Sequence, residues 1–168
     1  KNRFLKKVDM GSKKAAIGID PGQNGALSLV NDDELIIYDF EGIEAADQAL
    51  TDLQKDYDIR FAVLERVWIR KNERNVTTAN LLIRNAAMWD CLLHVHGIPH
   101  DEYSPQTWRK GLVHARAGKE AMVRKARQLL GGTDRDFARH DRAEAALMAW
   151  RAWEHVKAGW KTELKGRA

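Results

Sequence analysis

The chain has 168 residues, 44% of them hydrophobic and 31% charged, which fits one globular domain with a substantial core. Its single cysteine, Cys91, excludes an internal disulfide framework and fits a reducing compartment. No apolar run approaches the roughly 18–20 residues of a membrane span, no signal-like apolar segment precedes the first predicted strand, and a cytoplasmic location is expected. The formal net charge is only +4, but its distribution is uneven.

Residues 1–12 are basic and lack periodicity, so they are expected to form a leader outside the folded domain, which is placed at residues 13–158. Ala15 to Ile19 is a short apolar run closed by Asp20-Pro21-Gly22, a strand followed by a turn. Gly25 to Val30 and Leu35 to Phe40 are two more strands. The polar Asn31-Asp32-Asp33 between them suits a hairpin, so the three strands are expected to form an antiparallel meander. Ile43 to Tyr57 sets Ile43, Ala46, Leu50 and Leu53 at helical spacing. Ile59 to Leu64, apolar except for Arg60, reads as a buried strand.

The longest helical pattern runs from Asn75 to His96, with Thr77 or Thr78 as its cap and Gly97 and Pro99 ending it. Ile98 to Tyr103 is a weak strand, and Pro105 to Gly111 a short helix with proline near its first turn. Gly118 to Leu130 is a helix stopped by Gly131-Gly132. A last helix spans about Arg139 to Lys157, with Ala143, Leu147, Trp150 and Trp153 expected inward. Residues 159–168 form a short basic tail. The order of elements describes a mixed sheet with helices packed on it, in one domain without internal repeats.

Four acidic positions stand out: Asp20 and Glu65 at the ends of strand-like runs, and Asp141 with Glu144 one turn apart on one helix face. Each has an ordinary alternative. Asp20 suits a turn, Glu65 an ion pair, and Asp141 a helix N-terminus favoured by the dipole. Gathered in one pocket, such carboxylates repel one another and require a cation, most simply Mg²⁺. His140, four residues before Glu144, is a candidate ligand or proton carrier, whereas His94, His96, His100, His114 and His155 are assigned structural roles.

Basic residues cluster nearby. Arg109, Lys110, Arg116, Lys119, Arg124, Lys125 and Arg127 are balanced only by Glu120, and Arg66, Arg70, Lys71 and Arg74 only by Glu73. Such segments suit a polyanion bound on one side, or simply solvated helix faces. An acid cluster in a chain with these basic segments points to a metal-dependent nuclease.

Ile17-Gly18-Ile19-Asp20-Pro21-Gly22, Leu64-Glu65-Arg66-Val67-Trp68, Pro105-Gln106-Thr107-Trp108-Arg109-Lys110 and His140-Asp141-Arg142-Ala143-Glu144-Ala145 occur in this order. Together they resemble a RuvC-type Holliday-junction resolvase, in its phage-like branch, within the ribonuclease H-like superfamily. The resemblance covers Lys14 to Trp150. It implies an α/β fold with a mixed five-stranded sheet, an antiparallel meander joined to parallel strands, and helices on both faces.

The resemblance further implies a structure-selective endonuclease that resolves four-way or other branched DNA by paired nicks. Asp20, Glu65, Asp141 and Glu144 would be catalytic acids holding two Mg²⁺ ions, replaceable by Mn²⁺, with His140 accessory and Lys119 also catalytic. Trp68 matches an aromatic that stacks on bases at the junction centre. Arg70, Lys71, Arg109, Lys110 and Lys119 would contact DNA. Glu144 departs from the aspartate common at its position. A homodimer is expected through the helix at about 75–96, whose apolar positions include Leu81, Leu82, Ala86 and Trp89, and the setting would be a bacterial or phage-infected cell. The alternatives are a non-catalytic module that binds branched DNA and an actin- or sugar-kinase-like ATPase domain, the latter disfavoured by length.

Overall fold

The computed structural model describes residues 12–69, 75–114 and 116–159. Most of the expected leader and tail, together with Arg70, Lys71 and Arg74, lies outside the described residues. The elements in chain order are β1 (Lys13–Asp20), β2 (Ala26–Val30), β3 (Leu35–Asp39), α1 (Ile43–Asp56), β4 (Tyr57–Glu65), α2 (Val76–Val95), β5 (His100–Tyr103), α3 (Pro105–Arg109), α4 (Lys119–Leu130) and α5 (His140–Lys157).

The strands form one five-stranded sheet in the order β3-β2-β1-β4-β5. β1, β2 and β3 pair antiparallel as the expected meander. The hairpin between β2 and β3 is closed by Asn31, whose side-chain oxygen accepts from the Asp33 and Glu34 amides at 2.8 Å each. β4 pairs parallel with β1 and with β5. The short, half-buried β5 explains why its sequence signal is weak.

Alternation along β1 splits the interior in two. Ala15, Ile17 and Ile19 meet Leu50 and Leu53 of α1 and Trp89 and Leu93 of α2. On the opposite face Ala16, with Phe61 and Val63 of β4, packs against Trp108 of α3, Met122 of α4, and Leu147, Ala149 and Trp153 of α5. A central strand covered on both faces must be apolar throughout, and residues Ala15 to Ile19 are all buried.

Gly18 sets the distance between sheet and α5. A Cβ on it would lie 2.2 Å from the Ala149 nitrogen and 2.3 Å from the Ala145 oxygen, both backbone atoms. The helix backbone therefore rests directly on β1, and the alanine-rich face of α5 (Ala145, Ala146, Ala149, Ala152) permits this approach.

Several expectations need correction. Asn75, not Thr77 or Thr78, caps α2, because its side chain accepts from the Thr78 amide at the helix's third position. Ile43 is 49% exposed, since it opens α1 ahead of the buried stripe Ala46, Ala49, Leu50 and Leu53. Trp89 is 1% exposed and packs beside Phe40, so it belongs to the core and not to a surface that another subunit meets. Trp150 is only partly buried. Among the histidines, His96 contacts Gln54 and Asp47, His100 contacts Asp90 and the Ile98 carbonyl, and His155 meets Tyr103.

Candidate active site

Parallel pairing of β1 and β4 brings their ends together. Ile19 is opposite Leu64, so the next residues along, Asp20 and Glu65, stand side by side. Both lie on the α5 face, since the apolar Ile19 and Leu64 face α1 and α2. Asp141 and Glu144 occupy the first turns of α5, one turn apart. Asp20 is 6% exposed, and its Oδ1 accepts the Gly22 amide at 2.9 Å, which folds the Asp-Pro-Gly turn back over the strand end. Turn formation and membership of the acid group thus coexist at this residue.

Proton affinities record the crowding. Burial, followed by the Glu65 charge and more weakly by Glu144 and Asp141, pushes the Asp20 carboxyl up to about 7, against the opposing Gly22 amide. Burial also raises Glu65, as does the Glu144 charge, while the Trp108 indole and Arg109 oppose the rise. Glu144 is raised by burial as well, against Arg109 and His140.

The partners of these acids are unequal. Glu65 Oε1 accepts the Trp108 indole N–H at 3.0 Å, in place of the ion pair expected as its ordinary alternative. Glu144 Oε1 accepts from Arg109 at 2.5 Å. Asp141 pairs with the His140 Nε2 at 2.8 Å and has Arg139 at 3.9 Å. The α5 N-cap, Arg139, makes no side-chain cap, and Asp141 does not fill that role.

Ligand atoms of His140, Asp141 and Glu144 all lie within 4.8 Å of one another. Carboxylate oxygens in excess over cations, with an imidazole beside them, are a donor set suited to Mg²⁺ or Mn²⁺. The residues present therefore fit a divalent ion.

Arginines at the start of α5 orient this end of the molecule. Arg142 grips Asp39 at the end of β3 through two bonds of 2.7 and 2.6 Å. Arg139 reaches the Asn24 and Gly25 carbonyls of the β1–β2 turn and lies 3.4 Å from Asp39. Asp39, Arg139 and Arg142 were not singled out from sequence. The dense charge alternation from Arg139 to Glu144 is the only signal for the two arginines, it does not say which charges face the sheet, and Asp39 carries none.

The surrounding surface carries the remaining candidates. Trp68, beyond the end of β4, is 80% exposed, which removes a core role, and it lines a groove with Arg66, Ser104, Pro105 and Gln106. A second groove is lined by Gln106, Arg109, Lys110, Val113 and His114. Lys119 opens α4 and is exposed, as is Lys110, whereas Arg109 turns inward to Glu144. Arg66 pairs with Glu102 at the edge of the sheet. A further cavity at the opposite end of the sheet, lined by Lys14, Arg60 and Trp153, contains none of the acids. Among the described residues no helix is long and apolar enough to cross a membrane.

The sheet order and the two helical layers are those of a ribonuclease H-like fold. Three solved structures share this fold, two of them RuvC structures. RuvC of T. thermophilus in complex with a Holliday junction substrate superposes with a TM-score of 0.62 at 15% identity, covering 87% of this chain and 97% of that one. Another Thermus thermophilus RuvC structure gives 0.55 at 18% identity over 86% and 96%. The yeast mitochondrial Holliday junction resolvase Ydc2 gives 0.53 at 15% identity over 91% of this chain and 82% of that one. No family model and no curated protein sequence matches the chain.

Proposed function

We propose that this protein is a metal-dependent endonuclease that resolves four-way or other branched DNA by hydrolysing phosphodiesters, leaving paired nicks. The observation that carries this reading is the meeting of Asp20, Glu65 and Glu144, with Asp141 close by, at one end of a RuvC-type sheet. A module that only bound DNA would gain nothing from burying like charges beside a polyanion.

Asp20, Glu65, Asp141 and Glu144 hold the metal, two Mg²⁺ ions in our reading, with His140 an accessory ligand and Mn²⁺ an effective substitute. Bound there, the metal supplies activation of water and charge stabilisation at the leaving oxygen. The chain's own residues bind and orient. Trp68 presents a free indole face for stacking on an unpaired base at the junction, and Arg70, Lys71, Lys110 and Lys119 hold the backbone. Arg109 pairs with Glu144 in the metal-free protein and is assigned to exchange that carboxylate for a phosphate when DNA binds. Lys119 is assigned the role of offsetting charge on the phosphate.

Two copies related by a twofold axis would set two sites on symmetric strands. The outer side of α2, with Val76, Ile83 and Val95 exposed and Leu81, Leu82 and Ala86 partly so, is the proposed contact. A monomeric mass in solution with full activity would exclude it.

The test of function is direct. Wild type and Asp20→Asn are incubated with end-labelled four-way junction, flap and linear duplex in Mg²⁺. The expected result is symmetric cuts near the junction centre by wild type, and binding without cutting by the variant. Undiminished cutting by Asp20→Asn, or ATP binding in place of DNA binding, would overturn the proposal.

A further inference from the structure

α3 is a single helical turn, yet two consecutive residues on it reach acids from different elements. Ser104 caps it through the Thr107 amide, Pro105 occupies its first turn, and Arg151 of α5 donates to the Trp108 and Lys110 carbonyls at its end. The backbone of this turn is thus held at both ends. Trp108 is 0% exposed, set among the β4 and α5 side chains, and the only polar atom of its side chain donates to Glu65 Oε1 at 3.0 Å. Arg109 donates to Glu144 while its guanidinium carbon lies 4.9 Å from the centre of the Trp108 ring.

An indole suits such a position for a chemical reason. Its N–H donates and cannot accept, and the ring cannot rotate without breaking its packing. A hydroxyl or an amide would offer an acceptor and could turn. Trp108 therefore fixes one oxygen of Glu65 as an acceptor and leaves the other oriented away from the indole.

We propose that Trp108 is a positioning residue for Glu65. It holds the carboxylate in the rotamer that ligates the divalent ion, and its ring face seats Arg109 against Glu144. This rests on the reading of Glu65 as a metal ligand. An outer-shell donor of this kind typically changes metal affinity by about 10–100-fold when removed.

The experiment measures Mn²⁺ binding to the full chain by calorimetry, without DNA, for wild type, Trp108→Phe, Glu65→Gln and the double variant. Phenylalanine keeps a ring for Arg109 and deletes the N–H. The expected outcome is a dissociation constant raised about 10–100-fold in Trp108→Phe, and a double variant no weaker than Glu65→Gln alone. A folded Trp108→Phe that binds Mn²⁺ within about twofold of wild type, where wild type binds and Glu65→Gln is weakened, overturns the positioning role and leaves the metal reading standing. No binding by wild type overturns both.

Should Trp108→Phe fail to fold, indole N–H signals in nitrogen-15 spectra decide. One tryptophan signal is expected to move both with Glu65→Gln and with Mg²⁺. If none responds to Glu65→Gln, the contact is not there and the proposal falls.

Discussion

Replacing Asp20 with asparagine should stabilise the metal-free protein, and the effect should depend steeply on pH. Asp20 is 6% exposed, beside Glu65 and within reach of two further acids, and its carboxyl is pushed from 3.8 up to about 7. That difference in proton affinity corresponds to about 4 kcal/mol. Because the folded state binds the proton more tightly, stability falls as pH rises between the two values. The penalty is absent below about pH 4 and complete above about pH 7. Asparagine is isosteric and uncharged, and its Oδ1 still accepts the Gly22 amide. At pH 8 with EDTA, Asp20→Asn should be more stable than wild type by about 2–4 kcal/mol, the lower figure allowing for relaxation of Glu65 and Glu144. For a chain of this size this is roughly 5–15 °C in Tm. At pH 4.5 the gain should shrink to about 1 kcal/mol. Millimolar Mg²⁺ at pH 8 should raise the Tm of wild type much more than that of the variant. Scanning calorimetry at both pH values checks each statement. A variant less stable than wild type at pH 8, or one with the same gain at both pH values, would refute the argument that Asp20 is destabilised by buried like charge.

Trp68→Ala should leave Tm nearly unchanged, since the side chain is 80% exposed, and should slow junction cutting by roughly 5–150-fold, the equivalent of about 1–3 kcal/mol of base stacking. Equal losses of junction and duplex affinity would show that it does not stack at the junction. Asp39→Asn leaves Arg142, whose side chain is only 24% exposed, without its carboxylate, at a cost of about 1–3 kcal/mol. Arg142 holds the Asp39 carboxyl below the usual carboxylate range, so this contribution is present above about pH 4 and is lost as acidity reaches the lowered value of the folded state. Urea unfolding at pH 7 and pH 3 should show a smaller difference at the lower pH. Gly18→Ala sets a methyl 2.2 Å from a backbone nitrogen of α5, so a loss of about 3 kcal/mol or more is expected, together with weaker Mn²⁺ binding. Wild-type stability in that variant would contradict the close approach.

The sequence is most legible where chemistry and periodicity agree. β1, β2, β4 and the α1 stripe carry largely apolar patterns, and their limits fall within a few residues of those expected. Strand ends carrying Asp20 and Glu65 could be recognised because an acid closing an apolar run conflicts with burial unless something compensates it. What single-sequence reasoning cannot supply is direction. Trp89 sits on a helix whose surface positions are also apolar, and nothing local says that it turns inward to Phe40. Trp108 looked like part of a basic segment. Its bond to Glu65 depends on α3 docking between β4 and α5, a tertiary fact with no periodic signature. Asp39 was likewise invisible as an anchor, because its partners lie about a hundred residues downstream.

The order in which the acids occur along the chain has a consequence for biosynthesis. Asp20 and Glu65 become neighbours only when β4 has paired with β1, and Asp141 and Glu144 arrive with α5, the final element described. A chain emerging from the ribosome therefore carries its basic segments and its exposed Trp68 well before the acid group is complete. Until α5 settles on Gly18, such a chain has the proposed DNA-contacting residues but lacks half of the acids. On the proposed reading, completion of the fold and acquisition of cutting power are one event, so that unfinished chains would be harmless to the DNA around them.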